Sequence, residues 1–338
     1  MMTASNPAND LDAIAPLASL AALRYDPSLR GELRLLSHSE NATYLLHNSR
    51  RRSVMRVHRQ AYHSYQEIAS ELAWLQALRE EGLQVPSPIA GLDGQLIQQV
   101  ELAGLGSRHV VLFDWIEGSE PAPHGLNASF RRLGAINARL HQQARRWHQP
   151  QGFTRMSWSH QNMLGPEGYW GPWQQGPYLD EGARALIGEV VDVLGLRLAD
   201  YGQDPSRFGL IHADLRLANL LVQGEQTRII DFDDCGLGWY LHDLAAALSF
   251  FEHHPELAQW IDNWLQGYSR ELHLATEDLA MVPTLIMQRR LQLLAWAGSH
   301  RGTAQVECLG REWVEQTLGL CRRYLDDGLQ GVLAHARH

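Results

Sequence analysis

Cysteine is scarce in this chain, and positive charge never gathers into a block. Cys235, Cys308 and Cys321 are the three cysteines; they lie far apart and outside any C-x-x-C arrangement, so neither a disulfide framework nor a zinc site is expected. Lysine plus arginine number 29 against 38 acidic residues, a formal charge of −9. That balance offers no footprint for a phosphate backbone, and nucleic acid is not expected as a partner. No apolar run reaches ~18 residues, and the opening MMTASNPANDLD lacks the basic-then-apolar layout of a signal peptide. No membrane association and a cytoplasmic location are expected. Internal repeats and low-complexity segments are also missing. What is present is ordinary for a globular protein: 338 residues, 45% of them hydrophobic, enough for a sizeable core. At ~100–200 residues per domain that length suggests two.

The chain is organised around Phe208–Asp234, FGLIHADLRLANLLVQGEQTRIIDFDD. Leu210-Ile211 and Leu220-Leu221-Val222 are short apolar strands, which leaves His212, Asp214 and Asn219 on a loop between them, where catalytic groups usually sit. After a turn at Gln223-Gly224-Glu225, Arg228-Ile229-Ile230 runs back and delivers Asp231 at its end. A carboxylate with an amide oxygen is the hard donor set that Mg²⁺ requires when it keeps waters and substrate phosphates. Asp214, five residues before the amide, is placed to accept a hydroxyl proton. Together these are half of a phosphoryl-transfer site. Taken singly, each Asp or Asn could equally be capping a turn.

H-x-D-x-x-x-x-N followed by apolar-apolar-D-F-D resembles the aminoglycoside phosphotransferase and choline kinase superfamily, whose fold is similar to that of protein kinases. Protein kinases show H-R-D and D-F-G; H-A-D and D-F-D favour the small-molecule branch. The resemblance implies an α+β, two-lobed fold: a small antiparallel sheet with one helix (residues 11–115, after a flexible tail 1–10), then a mainly helical lobe (116–338). It implies ATP and Mg²⁺ as cofactors, Asp214 as catalytic base, Asn219 and Asp231 as metal ligands, and His212 as loop anchor. Asp243 would brace the catalytic loop from below, and by its position could also cap a helix running to about Glu252.

In chain order, Leu11–Leu23 reads as a helix, and residues 32–59 as three short strands. The first turn, Ser37-His38-Ser39-Glu40-Asn41, would lie over the nucleotide phosphates, although it lacks G-x-G-x-x-G. Arg56 stands on the third strand where the resemblance expects a lysine to hold the α- and β-phosphates, and the two are not interchangeable. Ser64–Glu81 is a helix whose Glu71 is the candidate partner of Arg56, with Glu67 as rival. Strands over Pro88–Leu92, Leu96–Leu102 and His109–Trp115 lead to a hinge, Phe113–Gly118, where the backbone of Asp114 and Ile116 could read an adenine edge.

Helices are expected at about Asn127–Trp147, Glu256–Leu272, Pro283–Ser299 and Val306–Asp326. Trp158, Trp170 and Trp173 either wall the acceptor site or pin an irregular segment to the core. Gly236 and Gly238 suit an irregular loop, and Asp233, Asp234, Trp239 and Tyr240 are the candidate acceptor residues. The expected reaction is transfer of the γ-phosphoryl group to a hydroxyl of a small amino-bearing alcohol of the homoserine, choline or aminoglycoside kind. The alternatives are a stress-type serine/threonine protein kinase, a nucleotide-binding pseudokinase, and a non-haem iron enzyme built on His212, Asp214 and His242.

Overall fold

A computed structural model describes residues 7–38, 41–122, 125–224 and 226–328, with side chains from Ile14 onward. The chain divides into two compact units. The first comprises Met1–Ser119, Gln149–Arg155 and Leu221–Asp233, and the second Glu120–His148, Met156–Leu220 and Asp234–His338. The short returns at Gln149 and Leu221 put the D-F-D segment up to Asp233 into the first unit, whereas the His212–Asn219 loop is in the second.

The first unit opens with α1 (Pro7–Ala22). This helix begins four residues before the expected Leu11, because proline is well tolerated in a first helical turn; of the expected tail, residues 1–6 lie outside the described residues. Strands β1 (Glu32–His38), β2 (Ala42–His47) and β3 (Arg52–Val57) follow, then α2 (Tyr65–Glu80), then β4 (Pro88–Ile89), β5 (Ile97–Leu102) and β6 (Gly106–Asp114). All pair antiparallel in the order β1-β2-β3-β6-β4, with β5 also on β6. One face of the sheet buries Tyr44, Leu46, Met55, Val57, Val110 and Leu112 with Leu17, Ala18 and Ala21 of α1. By the two-residue period of a strand, Arg56 is turned to the opposite face.

In the second unit, α3 (Leu126–Arg146), α4 (His160–Leu164) and α5 (Glu181–Tyr201) precede β7 (Phe208–Ile211). The hairpin of β8 (Leu220–Gln223) and β9 (Gln226–Ile229), which belongs to the first unit from Leu221 on, leads back to β10 (Gly236–Trp239). Helices α6 (His242–Ala247), α7 (Leu257–Tyr268), α8 (Thr276–Ser299) and α9 (Ala304–Asp327) complete the chain. Helix α5 went unexpected, although its signals were present: Asp180 caps it and Ala183, Ile187, Val190, Leu194 and Leu198 form its buried stripe. Gly236–Trp239 is not the expected irregular loop but a strand paired with β7. Helices α3 and α7 meet backbone to backbone. A Cβ on Gly134 would stand 1.9 Å from the Trp264 carbonyl oxygen, and one on Gly267 1.9 Å from that of Arg131.

The core of the second unit also buries charge. Arg290 on α8 pairs with Glu252 at 2.5 Å, both side chains fully buried. It also donates to Thr317 Oγ1 and to the Trp313 carbonyl of α9, each at 2.8 Å. Among the described residues no helix is long and apolar enough to cross a membrane.

Replacing Arg290 by Met strands Glu252 as a lone buried charge and should cost about 3–5 kcal/mol in denaturant unfolding, much of it recovered by Arg290→Met with Glu252→Met. Acid should also unfold the protein early. Burial, reinforced by the nearby Arg289 charge, pushes His242 down to about 3, so between that value and ~6.5 the unfolded chain binds the extra proton. Stability should therefore fall as pH drops below ~6.5, by at most about 1.4 kcal/mol per pH unit for this ring. Melting curves of His242→Gln should show a shallower acid limb; an unchanged limb would acquit this histidine.

Candidate active site

On the first unit the site is built around Arg56. Its side chain is 8% exposed, and Nη2 reaches both carboxylate oxygens of Glu71 on α2 at 2.7 Å. Glu67, the rival, is spent on a capping box with Ser64 at the start of α2. Arg56 Nη1 faces Asp233 Oδ1 at 3.7 Å, and the guanidinium lies 5.2 Å from the Phe113 ring centroid. Burial disfavours the charge, but Glu71 and Asp233 outweigh it and raise the arginine's pKa. The chain contains no lysine at all, so arginine supplies every such contact.

Asp233, named from the sequence as a candidate acceptor residue, is a buried carboxylate. It is 5% exposed, with His58 Nδ1 and His63 Nε2 each 3.6 Å from its oxygens. Burial would raise its pKa, yet His63, Arg56 and His58 hold it well below the usual carboxylate range. Arg155 grips the backbone carbonyls of Asp233 and Glu67. Phe232 is buried, edge-on to Trp74 at 5.5 Å. The residue before them, Asp231, is exposed and left-handed at φ +65°.

The expected nucleotide loop is shorter than the sequence suggested. Ser37 belongs to β1 and pairs with Thr43; Ser39 lies outside the described residues. Asn41 is buried, with its Oδ1 accepting the Arg59 N–H at 3.0 Å, which makes it a brace for the strand ends. At the hinge, Asp114 closes β6 and its N–H donates to the Ser87 carbonyl at 2.9 Å, so that amide is already engaged. Ile116 is half-buried just beyond the strand.

On the second unit the His212–Asn219 loop hangs from Asp243. Its Oδ1 accepts the Ala213 N–H at 2.7 Å and its Oδ2 the His212 N–H at 3.2 Å. His141 Nε2 lies 3.0 Å from Oδ2, and His141 Nδ1 2.9 Å from the Tyr268 hydroxyl. Burial favours a neutral Asp243, but the bond from His141 and the charges around it keep its pKa low. Asp243 therefore does not cap a helix; Leu241 occupies that position, and α6 ends at Ala247 rather than near Glu252. His212 is fully buried and anchors the loop, its Nδ1 facing the Asp214 N–H at 3.4 Å. Ala213, between them, is left-handed at φ +68°.

Asp214 follows that strained residue. Its Oδ1 is 2.5 Å from Arg289 Nη2 on α8 and 3.3 Å from Arg216 Nε. Burial would raise its pKa, but the two arginines hold it below the ordinary carboxylate value. Asn219 donates through Nδ2 to the Asp214 carbonyl at 2.8 Å and faces Oδ2 at 3.3 Å. An NH₂ bound to a carbonyl fixes the amide's orientation, leaving Asn219 Oδ1 as the atom able to ligate a cation. Arg289 escaped the sequence reading, since its partner lies 75 residues away. Its one signal is a pair of arginines inside the apolar stripe of α8. It also donates to Ser249 Oγ at 2.9 Å and Gln292 Oε1 at 3.1 Å, and lies 5.1 Å from the Trp170 ring centroid.

Trp239 and Tyr240 are core residues, not acceptor walls. Trp239 is 2% exposed and its Nε1 donates to the Gly202 carbonyl; Tyr240 packs its ring on His141, with Arg145 over it. Trp158, Trp170 and Trp173 are buried as well, so they pin their segment. Asp234 is half-buried, its carbonyl accepting from Trp158 Nε1 at 2.7 Å. Among the described residues no group of three or more His, Cys, Asp or Glu could hold a metal ion, which removes the basis of the iron alternative. Mg²⁺ is a different case, because it takes few protein ligands and completes its shell with waters and phosphates. Asn219 Oδ1 and the exposed Asp231 carboxylate are hard oxygen donors of the kind it needs.

Known proteins agree with this chemistry. The sequence pattern of a phosphotransferase enzyme family, APH, matches residues 32–279. A microcompartment-associated aminopropanol kinase of known structure is 42% identical, covering 92% of this chain and 98% of that one, with a TM-score of 0.86. The amicoumacin kinase of Bacillus subtilis (strain 168) is 23% identical over 319 residues, 91% of this chain and 90% of that protein. An amicoumacin kinase solved in complex with AMP-PNP, Ca²⁺ and Ami shares the fold at 18% identity and a TM-score of 0.74, covering 92% of this chain and 96% of that one. The chain belongs to the APH phosphotransferase enzyme family, and its fold is the protein-kinase-like, α+β fold of the small-molecule kinases.

Proposed function

We propose that this protein is an ATP- and Mg²⁺-dependent kinase whose acceptor is the hydroxyl of a short amino-bearing alcohol. The observation that carries the reading is the 42% identity, over nearly the whole of both chains, to a kinase of aminopropanol. The loop chemistry supports it. Asp214, Asn219 and Asp231 stand in the order that phosphoryl transfer uses, and Asp214 is held anionic by Arg289 and Arg216.

In this reading the backbone around Asp114 and Ile116 serves the nucleotide, the buried Arg56–Glu71 pair belongs to the same unit, and Asp214 serves the acceptor. Asn219 Oδ1 and Asp231 would hold Mg²⁺, which when bound with ATP neutralises charge on the phosphoryl group being transferred. Asp214 accepts a hydrogen bond from the acceptor hydroxyl and aims its oxygen. Two arginines make this carboxylate a weak base, which suffices where the transition state is loose and positioning dominates. Asp243 and His141 keep the loop in shape and touch neither substrate.

Asp214→Asn should lower kcat on aminopropanol by ~10²–10⁴, the usual worth of a positioned proton acceptor, while Mg²⁺–ATP still raises the melting temperature; near-normal turnover would take Asp214 out of this role. Asp231→Ala should abolish the metal-dependent part of that rise, which at 100-fold excess over Kd corresponds to about 2.7 kcal/mol in the wild type. Should wild type consume ATP with none of aminopropanol, ethanolamine, choline or homoserine, the amino-alcohol reading would be wrong even if nucleotide binds.

A further inference from the structure

Asp231 has φ +65°, a conformation that a residue with a Cβ keeps only when its surroundings over-determine it. The two residues after it supply that constraint. Phe232 is 1% exposed against Trp74, and Asp233 is 5% exposed with its carboxylate facing Arg56, His58 and His63 and its carbonyl gripped by Arg155.

Arg56 is the member of this cluster with two jobs. Its Nη2 is spent on both oxygens of Glu71, and its Nη1 is turned to Asp233. A guanidinium can serve two carboxylates because its donors form a planar fork, whereas an ammonium is a single point charge. Glycine, the D-F-G residue at the place of Asp233, would leave that second face without a partner. Arginine in a chain without lysine and an aspartate two residues after Asp231 thus form one device.

We infer that Arg56 acts chiefly as a positioning residue for the metal site, holding Asp231 in its left-handed turn through Asp233, instead of gripping the nucleotide phosphates as the lysine of related kinases does. The inference rests on the kinase reading above, in which Asp231 ligates Mg²⁺. A purely structural ion pair would change stability but not metal affinity relative to nucleotide affinity.

The test uses the full chain and two binding measurements: Mn²⁺ affinity in the presence of AMP-PNP, by electron paramagnetic resonance, and metal-free AMP-PNP affinity in EDTA, by calorimetry. Asp233→Asn should weaken Mn²⁺ binding about 10–100-fold, the usual worth of a group that orients a metal ligand, and leave metal-free AMP-PNP affinity within about twofold. Arg56→Lys keeps Glu71 paired but cannot span both carboxylates, and should give a similar loss. Arg56→Lys with Asp233→Asn should be no weaker than either single variant, since both break one link. Unchanged Mn²⁺ affinity in Asp233→Asn, additive losses in the double variant, or an Arg56→Lys that loses metal-free AMP-PNP binding as severely as Mn²⁺ binding would each overturn the inference. Where Asp233→Asn fails to fold, the two affinities of Arg56→Lys decide alone. Wild type that binds neither AMP-PNP nor Mn²⁺ would bring down the kinase reading and this inference together.

Discussion

Two strained turns, each stabilised by a buried carboxylate, are what the rest of this structure depends on. Ala213, before the candidate base Asp214, and Asp231, the proposed metal ligand, both adopt left-handed backbone that a Cβ disfavours. Beside the first, Asp243 accepts two backbone N–H groups of the loop; beside the second, Asp233 faces Arg56. In each case the candidate site residue is distinct from the buried carboxylate beside it. An unanswered carboxylate in either place would be costly enough to rearrange the loop.

The answering charges come from distant elements, and this explains much of the architecture. Helix α2 brings Glu71, strand β3 brings Arg56, and the short return at Gln149–Arg155 brings Arg155. In the second unit α3 brings His141, and α8 brings Arg289 to Asp214 and Arg290 to Glu252. Helix α8 is thus buried along much of its length yet carries two arginines, a combination that only paired charges permit. Histidines near these clusters, His58, His141 and His242, are pushed below their ordinary pKa by burial, so the clusters are built from carboxylates and guanidinium groups that keep their charge at neutral pH.

Local pattern carried the reading a long way. The spacing of His212, Asp214, Asn219 and Asp231 marked the reaction class, the two-residue period put Arg56 on the same strand face as Val54, and Glu71 beside the apolar stripe of α2 stood as its candidate partner with Glu67 as rival. Errors gathered where tertiary packing overrides local signal. Trp239 and Tyr240 look like pocket residues because they follow the D-F-D motif closely, yet β10 pairs with β7 and turns them into the core. Asn41 reads as an open loop residue until burial and the Arg59 N–H on its Oδ1 tie it to the strand ends, and the Asp114 N–H reads as free at the hinge until the Ser87 carbonyl accepts it.

The sequence by itself determined the fold class, the phosphotransferase family and the order of the candidate catalytic groups, because these rest on short-range patterns: periodicity, turn chemistry and residues within one 27-residue stretch, Phe208–Asp234. Only the tertiary structure decided which glutamate pairs with Arg56, that Asp233 is buried, and that Arg289 holds Asp214. Those choices depend on contacts between residues 15 to 177 positions apart. Charge pairing at such separations leaves no periodic trace along the chain; it exists once burial has removed water as the competing partner.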